Sequence, residues 1–374
     1  MPDLYDATRE VLLTILQIPS AAGREADLAA WVREHLAGLG LSVETDDCHE
    51  RIGGNCGNLL VRIPGTVDAP AIFFNSHLDT VEPTDGLTLV IDGDEVRTDG
   101  TTILGGDDKT GVAAILVGVA AALEAGLPRP PIEVLFTVQE ETGLCGAKAL
   151  DPAWLTARRG FVLDHGVPVG ELVVSAPSQT SHEIVFRGRA SHAGVAPEEG
   201  LNAIVVAAAA IGGVRQGRLD DETTCNIGVI SGGRATNIVP DECRLQAEVR
   251  SRDAAKLEAQ VAHLRAVCEQ TAAEWGAGLE FGRTDVYEAF RIARDEPVAQ
   301  IAEAAVRAAG LEPSWVEGGG GSDANIFCAA GLRCLIVSCG ERDVHTHQEW
   351  CKVSDVAAAA RLVYELVGAA AQAG

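Results

Sequence analysis

At 374 residues the chain exceeds the roughly 250–300 residues that one hydrophobic core usually serves, so two domains are expected. Hydrophobic residues make up 47 % of it and aromatics only 4 %, which leaves Ala, Val, Leu and Ile to fill the cores and excludes a chain disordered by composition. A formal charge of −25 and a pI near 4.7 oppose nucleic acid and anionic lipid, so neither is expected as a partner.

The N-terminal residues Met1-Pro2-Asp3-Leu4-Tyr5-Asp6 lack a basic region followed by an apolar stretch, which predicts no signal peptide. Leu4, Val11, Leu12, Ile15 and Leu16 then recur at helical spacing, and Leu28, Val32 and Leu36 repeat the pattern up to Gly38-Leu39-Gly40. Strands are predicted over 59–63, 71–75 and 132–138, with a helix over 110–123 closed by Gly126 and Pro128. This is the βαβ rhythm of an α/β protein, a mostly parallel sheet covered by helices. After about Pro177 the order becomes strand 182–188, helix 201–214, strands 225–230 and 242–250, helix 254–275 and strand 279–287. That βαββαβ series is the ferredoxin-like motif, a self-sufficient α+β unit that can be inserted as a lid. The first rhythm resumes with helix 297–309, a strand-to-turn segment at 314–321, strand 333–338 and helix 353–371. A discontinuous catalytic domain over 1–178 and 295–374, with an inserted lid over 179–294, is therefore expected. The apolar runs at 112–122 and 204–211 are short and alanine-rich, so no membrane span is predicted. Ten cysteines scattered from Cys48 to Cys351, with no C-x-x-C pair, fit reduced thiols in a cytoplasmic protein.

Acidic and imidazole side chains recur wherever a predicted strand stops. They are His77 and Asp79, Asp107 and Asp108, Glu140 and Glu141, Asp164, and His345, with His165 and His347 as rival ligands. In an open α/β sheet the strand carboxyl ends share one edge, so these loops can converge on one point. His77 and Asp79, two apart, can face one side, with the imidazole as ligand and the carboxylate behind it orienting the ring. Asp107 and Asp108 follow two glycines that admit close backbone approach, and one of the two carboxylates can bridge a pair of cations. Asp108 stands where a phosphate loop needs glycine, which excludes that reading of Lys109-Thr110. Of the adjacent Glu140 and Glu141, one can bind metal while the other acts as general base. Three anionic ligands in a desolvated crevice call for two divalent ions rather than one. Mixed imidazole and carboxylate donors without thiolate suit zinc, with manganese or cobalt as substitutes.

Taken together, His77-Leu78-Asp79-Thr80, Gly106-Asp107-Asp108-Lys109-Thr110-Gly111, Glu140-Glu141-Thr142-Gly143, Asp164 followed by Gly170-Glu171-Leu172, Ser191-His192-Ala193-Gly194, Ala235-Thr236-Asn237-Ile238-Val239-Pro240 and Gly321-Ser322-Asp323-Ala324-Asn325 resemble the co-catalytic zinc peptidases. Within them the match is to the peptidase T group of tripeptide aminopeptidases. The resemblance implies that Asp107 bridges two metals, with His77 and Asp164 on one and Glu141 and His345 on the other. It further implies Glu140 as general base, Asp79 as orienter of His77, and a cis peptide between Asp107 and Asp108. His345 rather than His347 is the implied ligand, because the pattern places it four residues before a glutamate, here Glu349. His192 resembles a histidine that reaches across a homodimer to the tetrahedral oxyanion, and Asn237 and Arg250 resemble groups that hold the substrate carboxylate. The implied activity is hydrolysis of short peptides from the amino end. The alternative is an N-acyl amino acid hydrolase or desuccinylase, against which Asp164 leans, since glutamate is common there. Ala193 in place of proline and Gln139 in place of an acid depart from the peptidase T pattern, and bear on substrate choice rather than on the metals.

Overall fold

The structure, a computed structural model, describes residues 3–373; Met1, Pro2 and Gly374 lie outside it. The chain divides into two compact units. One takes in the chain up to Ser175, Arg291–Gly318 and the chain from Ser322 onward, and the other takes in Ala176–Phe290 with Gly319–Gly321.

At the centre of the first unit, strands Ile132–Thr137, Ile72–His77, Arg159–Leu163 and Arg333–Val337 lie side by side in that order, all parallel. Helices cover both faces of such a sheet, so its strands read as apolar runs without alternation, and every residue of Ile72–His77 and Ile132–Thr137 is buried. The flanks are antiparallel. Leu59–Ile63 pairs with Ile132–Thr137 on one side, and Glu171–Ala176 pairs with Arg333–Val337 on the other. The sheet is α/β as expected, but mixed at its edges.

Helix Gly106–Glu124 lies against helices Val353–Gln372 and Tyr5–Leu16. Its approach to the former depends on Gly118, where a Cβ would run into the Ala360 carbonyl and the Val363 side chain. Gly118→Ala is therefore expected to cost about 1–3 kcal/mol through overpacking, read as a lower urea midpoint with an unchanged m value.

A small antiparallel sheet escaped the sequence reading: Leu89–Asp92, Glu95–Thr98, Trp350–Lys352 and Glu341–Arg342. It matters because the segment bearing His345 is the tip of the hairpin joining Glu341–Arg342 to Trp350–Lys352, not a free loop after Arg333–Val337.

In the second unit the antiparallel order Thr223–Gly232, Glu242–Ser251, Ser178–Arg187, Gly278–Phe281 is the 2-3-1-4 arrangement of a βαββαβ fold. Helices Ala203–Gly213 and Ala254–Trp275 start at Asn202 and Asp253, whose side chains accept from backbone N–H groups of the first turn. Their inner faces join Ile184, Phe186, Leu245 and Val249 of the sheet in one core through Val206, Leu257 and Leu264. The single strand expected over 279–287 is two, Gly278–Phe281 and Thr284–Tyr287, both paired with Ser178–Arg187. Among the described residues no helix is long and apolar enough to cross a membrane.

Candidate metal centre and active site

The four parallel strands bring their carboxyl ends to one edge, and each hands over a side chain there. His77 ends Ile72–His77, Glu140 and Glu141 follow Ile132–Thr137, Asp164 follows Arg159–Leu163, and the hairpin after Arg333–Val337 carries His345. Asp107 comes from the start of helix Gly106–Glu124, where Asp107 and Asp108 have non-helical backbone angles and a cis peptide joins them.

Asp107 stands between two imidazoles. Its Oδ1 lies 3.1 Å from His77 Nε2 and its Oδ2 lies 3.2 Å from His345 Nε2. Glu141 Oε1 is 2.9 Å from the same His345 nitrogen. Two groups of donor atoms result, each within 4.8 Å of one another: His77, Asp107 and Asp164, and Asp107, Glu141 and His345. The two share Asp107, which the resemblance had placed in the bridging position. The rivals face elsewhere, His165 toward Glu171 at 3.0 Å and His347 toward the Gly100 carbonyl at 3.0 Å.

Asp108 points away from the donors. It accepts from Ser76 Oγ at 2.5 Å, from the His77 N–H at 3.2 Å and from the Gly111 N–H at 3.1 Å. Gly111 is required for that approach, because a Cβ there would collide with the Asp108 carboxylate and the Leu163 carbonyl.

The electrostatics show anions in excess. Burial alone would raise the Asp107 carboxyl, but hydrogen bonds from His345 and His77 carry it below its ordinary value. Asp164 is pushed up to about 8 by burial and by Asp107. Burial pushes Glu140 well above the carboxylate range; His77 opposes this, and Asp164, Asp323 and Glu141 add to it. Hydrogen bonds to Asp107 and Glu141 raise His345 to about 10. In a donor set of two imidazoles and three carboxylates, burial and the neighbouring Asp107 raise Asp164 and Glu141 while the imidazoles hold Asp107 down; such a set fits divalent cations in both groups.

Peptidase family M20/M25/M40 matches residues 73–369 of this chain. The aminopeptidase PepT of Bacillus cereus, solved as a crystal structure, superposes with a TM-score of 0.90 at 38 % identity over 98 % of this chain and 99 % of that one. A tripeptidase of Staphylococcus aureus superposes at 0.94 with 35 % identity over the same shares. The uncharacterized protein YqjE of Bacillus subtilis is 38 % identical over 97 % of this chain and 98 % of its own length. The chain belongs to peptidase family M20/M25/M40. It is a metallopeptidase.

Several residues of this M20 peptidase support the donors in ways the motifs did not disclose. Asp79, read as the orienter of His77, does so with its main chain: His77 Nδ1 lies 2.9 Å from the Asp79 carbonyl and 3.5 Å from its carboxylate. The carboxylate instead accepts the Glu140 N–H at 2.9 Å and the Glu141 N–H at 3.0 Å, fixing the turn that carries both glutamates. Ser322 donates to Asp164 Oδ2 at 2.5 Å. Glu349 accepts from the Gly105 N–H at 2.8 Å and the Asp107 N–H at 3.0 Å, holding the bridging residue's backbone. Its place four residues after His345 marked the family pattern, but no spacing announces a partner more than 240 residues away. Glu349→Ala is expected to weaken metal retention by about 10–100-fold, measured by chelator competition, as loss of an outer-shell partner typically does.

In the second unit, His192 and Asn237 sit on adjoining exposed segments, tied by the Ala193 N–H to the Asn237 carbonyl at 3.0 Å and by a bridge between His192 and Ile238. Arg250, on strand Glu242–Ser251, forks onto the Glu248 carboxylate with two 3.0 Å hydrogen bonds and reaches the Tyr287 hydroxyl at 3.3 Å. In this structure the guanidinium thus has an internal carboxylate partner.

Proposed function

We propose that this M20 metallopeptidase is an aminopeptidase that releases the N-terminal residue of tripeptides and other short peptides, with two zinc ions as its metals. The observation that carries the reading is the Asp107 carboxylate, one oxygen toward His77 and the other toward His345, with Asp164 and Glu141 completing the two groups. His77, Asp107 and Asp164 would hold one ion, and Asp107, Glu141 and His345 the other. When bound, such ions polarise an amide carbonyl and ease deprotonation of water. Manganese or cobalt would fit the same imidazole and carboxylate donors. The tripeptide preference draws support from relatives described as aminopeptidase PepT, tripeptidase and, at 27 % identity in Vibrio cholerae, peptidase T.

Glu140 is the general base in this reading. Its backbone is fixed by Asp79, its side chain is buried next to the ligand Glu141, and it belongs to neither donor group. It takes a proton from the attacking water and delivers it to the departing amine, a transfer that requires the carboxylate close by and otherwise unengaged. His192 is assigned to the oxyanion and Asn237 and Arg250 to the substrate carboxylate on the strength of the family resemblance. A homodimer formed through the second unit and a cytoplasmic location complete the assignment.

The test is a panel of free tripeptides, dipeptides, longer peptides, and N-acetyl and N-succinyl amino acids, given to enzyme of defined metal content. Free tripeptides should be cleaved fastest, with the N-terminal residue appearing first. Preferential cleavage of the acylated amino acids would overturn the aminopeptidase assignment in favour of an N-acyl amino acid hydrolase.

A further inference from the structure

Cys328 and Cys334 lie outside both donor groups, and neither has a part in the proposed chemistry. Their sulfurs are 3.7 Å apart. Cys328 is on helix Asp323–Ala329 and Cys334 is near the start of strand Arg333–Val337. The turn between them is tight: Gly331 sits at φ +87, its N–H bonds to the Cys328 carbonyl, and the Leu332 N–H bonds to the Phe327 carbonyl. That turn holds the two thiols face to face.

Their exposures differ in a useful way. Cys334 is fully buried, whereas Cys328 is partly exposed, a property it shares only with Cys145 among the ten free cysteines. The Cys145 sulfur contacts the Thr142 carbonyl at 3.5 Å instead. The contact with Cys334 and the Arg333 guanidinium favour the thiolate of Cys328, against the effect of its burial and of Glu296, the carboxylate that Arg333 pairs with. A partly exposed cysteine beside a second, resolving thiol is the arrangement that reacts reversibly with peroxides.

We propose that Cys328 and Cys334 form an oxidisable dithiol, a modification site at which a hydroperoxide drives formation of an intramolecular disulfide. The Cys328 thiolate attacks the peroxide's terminal oxygen. The O–O bond breaks, an alcohol or water leaves after protonation, and Cys328 becomes a sulfenic acid. The Cys334 sulfur then attacks the Cys328 sulfur, the S–O bond breaks, and hydroxide leaves as water with the Cys334 proton. Two thiols are oxidised, one hydroperoxide is reduced, and the balance closes with one water and one alcohol, or two waters from hydrogen peroxide. The sulfurs must close by about 1.7 Å from 3.7 Å to reach a bond of ~2.05 Å.

Arg333 makes the test direct, because trypsin cuts between the two cysteines. The full-length, metal-loaded protein is treated with hydrogen peroxide, its remaining thiols are alkylated, and the denatured protein is digested and analysed by mass spectrometry. The peptides bearing Cys328 and Cys334 should appear joined, lighter by two hydrogens than their sum, and should separate on addition of dithiothreitol. Cys145 should give no intramolecular disulfide. In C334S the joined species should vanish and dimedone should trap a sulfenic acid on Cys328; C328S should show neither product. Absence of the joined peptides from treated wild-type protein, or their persistence in C334S through Cys339, overturns the proposal.

Discussion

Glu140→Gln should keep the fold and both metals and lose turnover by a factor on the order of 10²–10⁴, the usual worth of a positioned general base. The expectation rests on what Glu140 does not do. Its side chain is absent from both donor groups, and the contact that fixes its position is made by its backbone N–H to Asp79. Glutamine has the same shape and leaves that backbone bond in place, but its amide cannot accept the proton of the attacking water. The effect should fall on kcat with KM little changed, because the lost interaction belongs to the transition state. Glu141→Gln provides the contrast: this carboxylate faces His345 at 2.9 Å within a donor group, so its loss should show first as missing metal. Native mass spectrometry beside steady-state kinetics separates the two. A Glu140→Gln enzyme with full metal and wild-type turnover would remove Glu140 from the base role.

The part of this centre that sequence could reveal is the part that local rules govern. Strand periodicity places a loop after each buried apolar run, and an acid or imidazole in that loop is visible by its type alone. His77, Glu140, Glu141 and Asp164 were legible in this way. Asp107 and Asp108 were not separable by spacing, because both follow the same glycines; the backbone decides, turning Asp108 back to Ser76, the His77 N–H and Gly111. His345 needed the family pattern, since the small sheet that holds its hairpin pairs Trp350–Lys352 with Glu95–Thr98, strands far apart in the chain and too short to show a period. The supports were hidden for the same reason. Nothing near Glu349 says that it grips Gly105 and Asp107, and nothing near Asp79 says that its carboxylate serves Glu140 and Glu141 while its carbonyl serves His77. The break in the strand expected over 279–287 depends on Gly282, whose N–H turns to the Glu183 carbonyl of the neighbouring strand. Cross-strand register of that kind cannot be read from one strand's own residues.

Asp107→Ala should have the largest effect on metal content of any single substitution in the chain. Every other donor serves one group, whereas Asp107 gives one oxygen to each. Asp164→Ala should therefore leave the group of Asp107, Glu141 and His345 intact and reduce the metal content from two ions to one. Asp107→Ala breaks both groups and should reduce it to near none, with activity falling to background. Stability offers a second readout independent of turnover. A ligand present at 100 times its Kd stabilises the folded state by about 2.7 kcal/mol, so wild-type Tm should rise as zinc is added to metal-free protein. Asp164→Ala should keep part of that rise and Asp107→Ala should lose it. The substitution also leaves His77 and His345 without the carboxylate that favours their charged forms, so these imidazoles become better neutral ligands individually while losing the oxygen that links them. If the bridge is what matters, the second change outweighs the first. Near-normal metal content in Asp107→Ala would mean that the two groups bind independently of the residue they share.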